Sequence, residues 1–151
     1  MSTPISPTTT HTGTCLCRAI HFTVTGAPTA VYCCYCRDCS LGAGGPCQIT
    51  ARYPRSHFTL HDTDSQLRTY AITDTTSGAP KHKYFCGRCG CTVYTVPRAT
   101  EGGGVVVVRP ALIPDGLEIF SPQIECFTRC RPGWFAGCEG VEEGFEGSSR
   151  A

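Results

Sequence analysis

The chain has 151 residues, 40% of them apolar, and its 13 Lys and Arg almost balance its 12 Asp and Glu. That length and composition fit one domain with a sizeable core and exclude a disordered chain. A net charge of +1 lacks the clustered basic footprint of a nucleic-acid binder and gives no reason for attraction to an anionic membrane.

Residues 1–12 are rich in Thr, Ser and Pro and read as a disordered tail, with neither the basic nor the apolar region of a signal peptide. Alternation of Ile20, Phe22 and Val24 predicts a strand over 19–24. Residues 31–33 form a short strand that runs into a cysteine cluster. At most one turn of helix follows, near 37–41, and 41–46 is a Gly-rich loop. Further strands are predicted at 48–51, 57–60, 67–70, 81–85 and 92–96. Gly102 to Gly104 reads as a turn, and the β-branched run 105–108 as a strand buried on both faces. The last clear strand is 123–127. Trp134 reads as a residue that closes the core, and 141–151 as a frayed end. The predicted organisation is a single zinc-binding β domain over 13–140, all-β because short strands alternate with Gly, Pro and Asp turns.

Cysteine usage carries the chemistry. There are 13 cysteines, an odd number, in a chain whose start and lack of long apolar runs predict a cytosolic protein. In a reducing compartment such cysteines read as metal ligands before disulfides. Cys86-Gly-Arg-Cys89-Gly90 has the spacing of a zinc knuckle, which aims two thiolates at one point. Cys15 and Cys17 are the natural second pair, since alternate residues of an extended strand face the same way. These four would close a structural zinc site. Cys34, Cys36 and Cys39 supply three ligands and no obvious fourth. Three thiolates with a vacant position are the pattern of a reactive zinc. Cys33 is a lesser alternative ligand, and Cys33 or Cys47 closing a second structural site is the competing reading. Cys126, Cys130 and Cys138, spaced by four and eight, could form a third site but lack a C-x-x-C knuckle and read as buried or free thiols; Cys91 follows the knuckle with no assigned role.

At these motifs the sequence resembles the glutathione-dependent formaldehyde-activating enzyme family, whose domain also occurs in centromere protein V. The resemblance rests on residues 13–22, on Cys34-Tyr-Cys-Arg-Asp-Cys39 and on Tyr84-Phe-Cys86-Gly-Arg-Cys89-Gly90, and spans about 13–135. It implies a pinched antiparallel β-sandwich, a β-tent, organised around the cysteine sites. It implies two zinc ions, one closed by Cys15, Cys17, Cys86 and Cys89, the other exchangeable at Cys34, Cys36 and Cys39, with glutathione as a possible co-substrate. Tyr35 stands where the family commonly has His, and 109–114 departs from the family's turn. The expected function is a zinc-dependent carbon–sulfur lyase or glutathione-adduct enzyme whose partner is a small thiol or electrophile. A zinc Lewis-acid isomerase, dehydratase or cyclase is the alternative enzyme, and a non-catalytic zinc-binding interaction module the alternative from another class. Neither a nucleic acid nor a membrane is an expected partner.

Overall fold

The computed structural model describes residues 4–75, 78–97 and 104–149. Eleven strands occur among them: β1 Thr10–Thr14, β2 His21–Thr25, β3 Ala30–Cys34, β4 Gln48–Pro54, β5 Phe58–His61, β6 Leu67–Ile72, β7 Lys81–Cys86, β8 Thr92–Val96, β9 Val105–Val108, β10 Ile124–Cys126 and β11 Glu143–Phe145. Two short helices join them, α1 Arg37–Ala43 and α2 Gly116–Ile119. The fold is mostly β, as the strand pattern predicts. Apart from Gly104, the predicted turn at 102–104 lies outside the described residues. No helix among the described residues is long and apolar enough to cross a membrane.

Two sheets make up the architecture. The smaller has the order β1-β2-β5, and the larger β11-β10-β3-β4-β9-β8-β7-β6. Pairing is antiparallel except around β10, which runs parallel to both β3 and β11. The sheets meet over a core that includes Phe22, Val24, Tyr53, Phe58, Tyr94, Val106 and Val108. Phe58 bridges them, with ring centroids 5.7 Å from Phe22 and 4.8 Å from Tyr94. Burying an aromatic ring of this kind contributes about 2–3 kcal/mol, so truncating Phe22 to Ala would cost about 3–5 kcal/mol.

Both expected ends carry structure. Residues 10–12, predicted to be tail, belong to β1, which pairs along its whole length with β2 from Thr10↔Thr25 to Thr14↔His21. The polar composition concealed this strand because its ladder is made by the backbone, while His11 packs edge-on against Phe120. Likewise β11 lies inside the expected frayed end and is held by pairing with β10. Trp134 does not close the core. It is 77% exposed, in a loop outside both sheets, and its ring meets only Phe135 edge-on among the described aromatics.

One face of the large sheet turns away from the core. Val106 and Val108 are fully buried, whereas Val105 and Val107 face a cavity of about 730 Å³. The Val105–Val108 run is therefore apolar on both sides because one side meets the core and the other an open chamber. Alternate residues of neighbouring strands line that chamber: Tyr32 and Cys34, then Gln48, Thr50 and Arg52, then Lys81 and Lys83. This is the period-two rule of a pleated sheet.

Candidate metal centres and the cavity beside them

The first cysteine cluster forms where two turns meet. Ligand atoms of Cys15, Cys17, Cys86 and Cys89 all lie within 4.8 Å of one another. The Cys17 sulfur is 3.6 Å from those of Cys15 and Cys86, the latter 69 positions away in sequence. Cys15 and Cys17 do not converge by strand alternation, as the sequence suggests. They sit in a turn just after β1, where Arg18 N–H donates to the Cys15 carbonyl at 2.9 Å and Arg18 has φ of 65°. The second pair follows β7 in a knuckle closed by Gly90 N–H donating to the Cys86 carbonyl at 2.8 Å. Gly90 has φ of 76°, a left-handed conformation that favours glycine.

Backbone amides point at these sulfurs. Ile20 N–H donates to Cys15 Sγ at 3.4 Å. Burial opposes ionisation of Cys89, but amides of Cys91 and Cys17 and the thiols of Cys86 and Cys17 outweigh it and bring Cys89 down to about 6. Four convergent sulfurs, with N–H donors aimed at those of Cys15 and Cys89, are the donor set of a tetrahedral soft-metal site, so these residues fit zinc. Cys15 and Cys86 also belong to the core, so the cluster is continuous with the packing that holds the sheets.

The second cluster is local. Cys34 ends β3, Cys36 caps the N-terminus of α1 by accepting from Cys39 N–H at 3.5 Å, and Cys39 sits in the helix's first turn. The strand-to-helix corner thereby gathers three sulfurs from six consecutive residues, all within 4.8 Å of one another. Among the described residues no fourth metal-ligating side chain completes this group. Hydrogen bonds from Cys34 and then Cys39 pull Cys36 well below the ordinary thiol range, while Cys34 is driven up by its bonds to Cys36 and Cys39 and by burial. Three converging soft donors are satisfied together by a divalent cation, and this set also fits zinc. Cys33 is not part of it: its partner atoms belong to a different group, on the opposite side of β3.

Cys34 and Cys39 open onto the cavity, together with four cationic side chains, Arg52, Lys81, Lys83 and Arg109, and one carboxylate, Asp38. Lys81 pairs with Asp38 at 2.8 Å. Burial disfavours the Lys81 charge, but Asp38 and the cysteine cluster more than offset this and hold its pKa above the ordinary value. Arg109 is only 8% exposed. Its Nη2 donates to Thr95 Oγ1 at 2.9 Å, while its buried Nε has no hydrogen-bond partner among the described residues. Burial pushes Arg109 down to about 10, against the attraction of the Cys39, Cys34 and Cys36 sulfurs, so it stays cationic at neutral pH.

Sequence reasoning singled out all seven of these cysteines and missed the cations. The Lys81-His-Lys83 alternation was the available signal, since it puts both ammonium groups on one strand face. Arg109 had no such signal, because a single basic residue after a strand is usually solvated.

The residues that carry these features lie within a wider similarity. A profile of the family described as glutathione-dependent formaldehyde-activating enzyme matches residues 10–130. No curated protein matches the chain. The crystal structure of a Rhodobacter sphaeroides protein superimposes with a TM-score of 0.52 at 20% identity, covering 67% of this chain and 85% of that one. That likeness concerns the fold.

Proposed function

The chain belongs to the glutathione-dependent formaldehyde-activating enzyme family, and from that premise we propose that it makes or breaks a carbon–sulfur bond between a small thiol such as glutathione and an electrophile such as formaldehyde. The observation that carries this reading is the incomplete cluster: three cysteine sulfurs without a fourth side-chain donor among the described residues, two of them, Cys34 and Cys39, on the wall of a cation-lined cavity of about 730 Å³. Zinc held by Cys34, Cys36 and Cys39 would supply positive charge that stabilises a substrate thiol as thiolate near neutral pH. Cys15, Cys17, Cys86 and Cys89 would hold a second zinc for folding.

The chain's own residues do the rest. Arg109, Arg52 and Lys83 offer N–H donors to the carboxylates of a peptide-like thiol. The Nε of Arg109 is buried and has no hydrogen-bond partner among the described residues. In the forward direction the substrate sulfur bonds to the carbonyl carbon, the carbonyl π pair moves to oxygen, and that oxygen takes a proton. Lys81, kept protonated by Asp38, is a cation at the cavity wall suited to stabilise the developing negative oxygen. The reverse direction cleaves the carbon–sulfur bond and releases thiol and aldehyde.

Calorimetry on zinc-loaded protein with reduced glutathione and its S-methyl analogue tests the reading. The analogue keeps both carboxylates and lacks the ionisable thiol. The expected result is glutathione binding at least about tenfold tighter, with affinity rising as pH approaches the thiol's own pKa. Equal affinity for the two would remove the thiol from the site. The excess of cavity cations favours a second reading, a Lewis-acid reaction on a small carboxylic acid that offers oxygen to the cluster. Failure of both glutathione and its S-methyl analogue to bind would move the weight there.

A further inference from the structure

A separate group of thiols lies on the other side of β3. Cys33 is fully buried there, among the side chains of Cys138 and Glu125. One donor atom each of Cys33, Cys138 and Glu125 lie within 4.8 Å of one another. Two features separate this group from the metal-type clusters. The carboxylate of Glu125 is already engaged: Oε1 accepts from the Tyr35 hydroxyl and from Cys138 N–H at 2.9 Å, and Oε2 accepts from Arg131 at 3.1 Å. It is therefore a structural hub, with three of its roughly four acceptor positions already taken by protein donors. Moreover, Cys47 falls outside the mutual 4.8 Å set, which leaves Cys33 and Cys138 as the two thiols brought together.

The segment that carries Cys138 is held in place for this contact. Glu125 lies directly beside Cys33 in the parallel β3–β10 pairing. Arg131 bonds Glu125 and also lies over the Tyr35 ring, whose other neighbour is Phe135. Gly137 has φ of 99°, and a Cβ there would stand 2.5 Å from Arg131 Nη1 and 2.7 Å from Glu125 Oε1. Only glycine lets the backbone pass so close and deliver Cys138 to Cys33.

We propose that Cys33 and Cys138 form a reversible disulfide, a modification site for small oxidised disulfides that pins the 131–138 segment to the strand leading into the Cys34–Cys39 corner. Cys138 is the partly exposed member and so the one a small disulfide reaches. Its thiolate attacks one sulfur of the reagent, breaking that sulfur–sulfur bond and expelling one thiolate. Cys33 then attacks Cys138 Sγ, forms the internal bond and expels the second thiolate. Two protein thiols are oxidised, one small disulfide is reduced to two thiols, and the two protons go to the departing thiolates. The inference is independent of the reaction assigned to the cavity.

The experiment exposes the full-length, metal-loaded protein to glutathione disulfide, traps free thiols by alkylation, and maps cross-linked peptides with fragmentation that distinguishes Cys33 from Cys34 and Cys36. The expected result is a Cys33–Cys138 bond that forms without metal release, raises the melting temperature on the order of 10 °C and disappears with dithiothreitol. Cys138→Ser abolishes the cross-link and the shift, Cys47→Ser retains both, and Gly137→Ala slows the cross-link by displacing the segment. A dominant Cys33–Cys47 bond, or zinc loss preceding any Cys33–Cys138 peptide, overturns the proposal. So does persistence of both free thiols under oxidising conditions that fully oxidise glutathione.

Discussion

The two metal-type clusters are built from the same side chain and differ in what they connect. Cys15, Cys17, Cys86 and Cys89 come from two turns far apart in sequence, and two of the four are core residues. Cys34, Cys36 and Cys39 come from one strand-to-helix corner, and Cys34 and Cys39 face a cavity. A cation bound at the first would close a long chain loop, so its binding energy would be folding energy. A cation bound at the second would organise six residues that β3 and α1 already hold, leaving its coordination capacity for a ligand. Sequence separation between ligands, more than their number, divides a folding role from a chemical one here.

The largest test of that contrast removes a ligand from the long-range cluster. Cys86→Ser or Cys89→Ser is expected to abolish soluble, cooperatively melting protein, since metal binding of this type contributes on the order of 10 kcal/mol in zinc-finger peptides. An unchanged thermal melt would end the distinction. Next, Cys36→Ser or Cys39→Ser should leave a folded protein with one bound zinc and turnover reduced at least about a hundredfold. Wild-type turnover in either variant would exclude the corner from the mechanism.

Arg109→Gln sharpens the contrast within the cavity. Losing a charge-assisted contact of about 1.5–3 kcal/mol should raise KM or Kd for an acidic thiol about 10-fold to 100-fold. The melting temperature should not fall, because a buried cation is removed at the same time. An affinity unchanged within error would show that Arg109 does not reach the ligand. Lys83→Met should have a smaller effect, at most about fivefold, in keeping with a more solvated charge. The gentlest test is a chelator titration at neutral pH. About one equivalent of zinc should leave first, without a change in circular dichroism, and the remainder only together with unfolding. Simultaneous loss of both would contradict unequal sites.

What could be read from the chain was local. The C-x-x-C-G knuckle, the C-x-C-x-x-C corner and the alternating apolar strands each declare themselves within six residues, because backbone geometry alone determines where those side chains point. Strands made by polar residues escaped: β1 and β11 are held by ladders whose bonds do not depend on side-chain hydropathy. Trp134 misled for the opposite reason, since an apolar ring need not be buried when its loop lies outside the sheets.

The sequence by itself determined the mostly β class and the local cysteine motifs, C-x-C, C-x-C-x-x-C and C-x-x-C-G, all consequences of short-range pattern; Cys33 remained an open alternative until the structure put it in a different group. Only the tertiary structure decided that Lys81, Lys83, Arg52 and Arg109 share a chamber with Cys34 and Cys39, and that Glu125 and Gly137 carry Cys138 to Cys33. These residues come from strands and loops whose adjacency is set by sheet order and by packing across the core. Side-chain chemistry is written residue by residue, but the neighbour that gives it a use is chosen by long-range pairing, which no local pattern encodes.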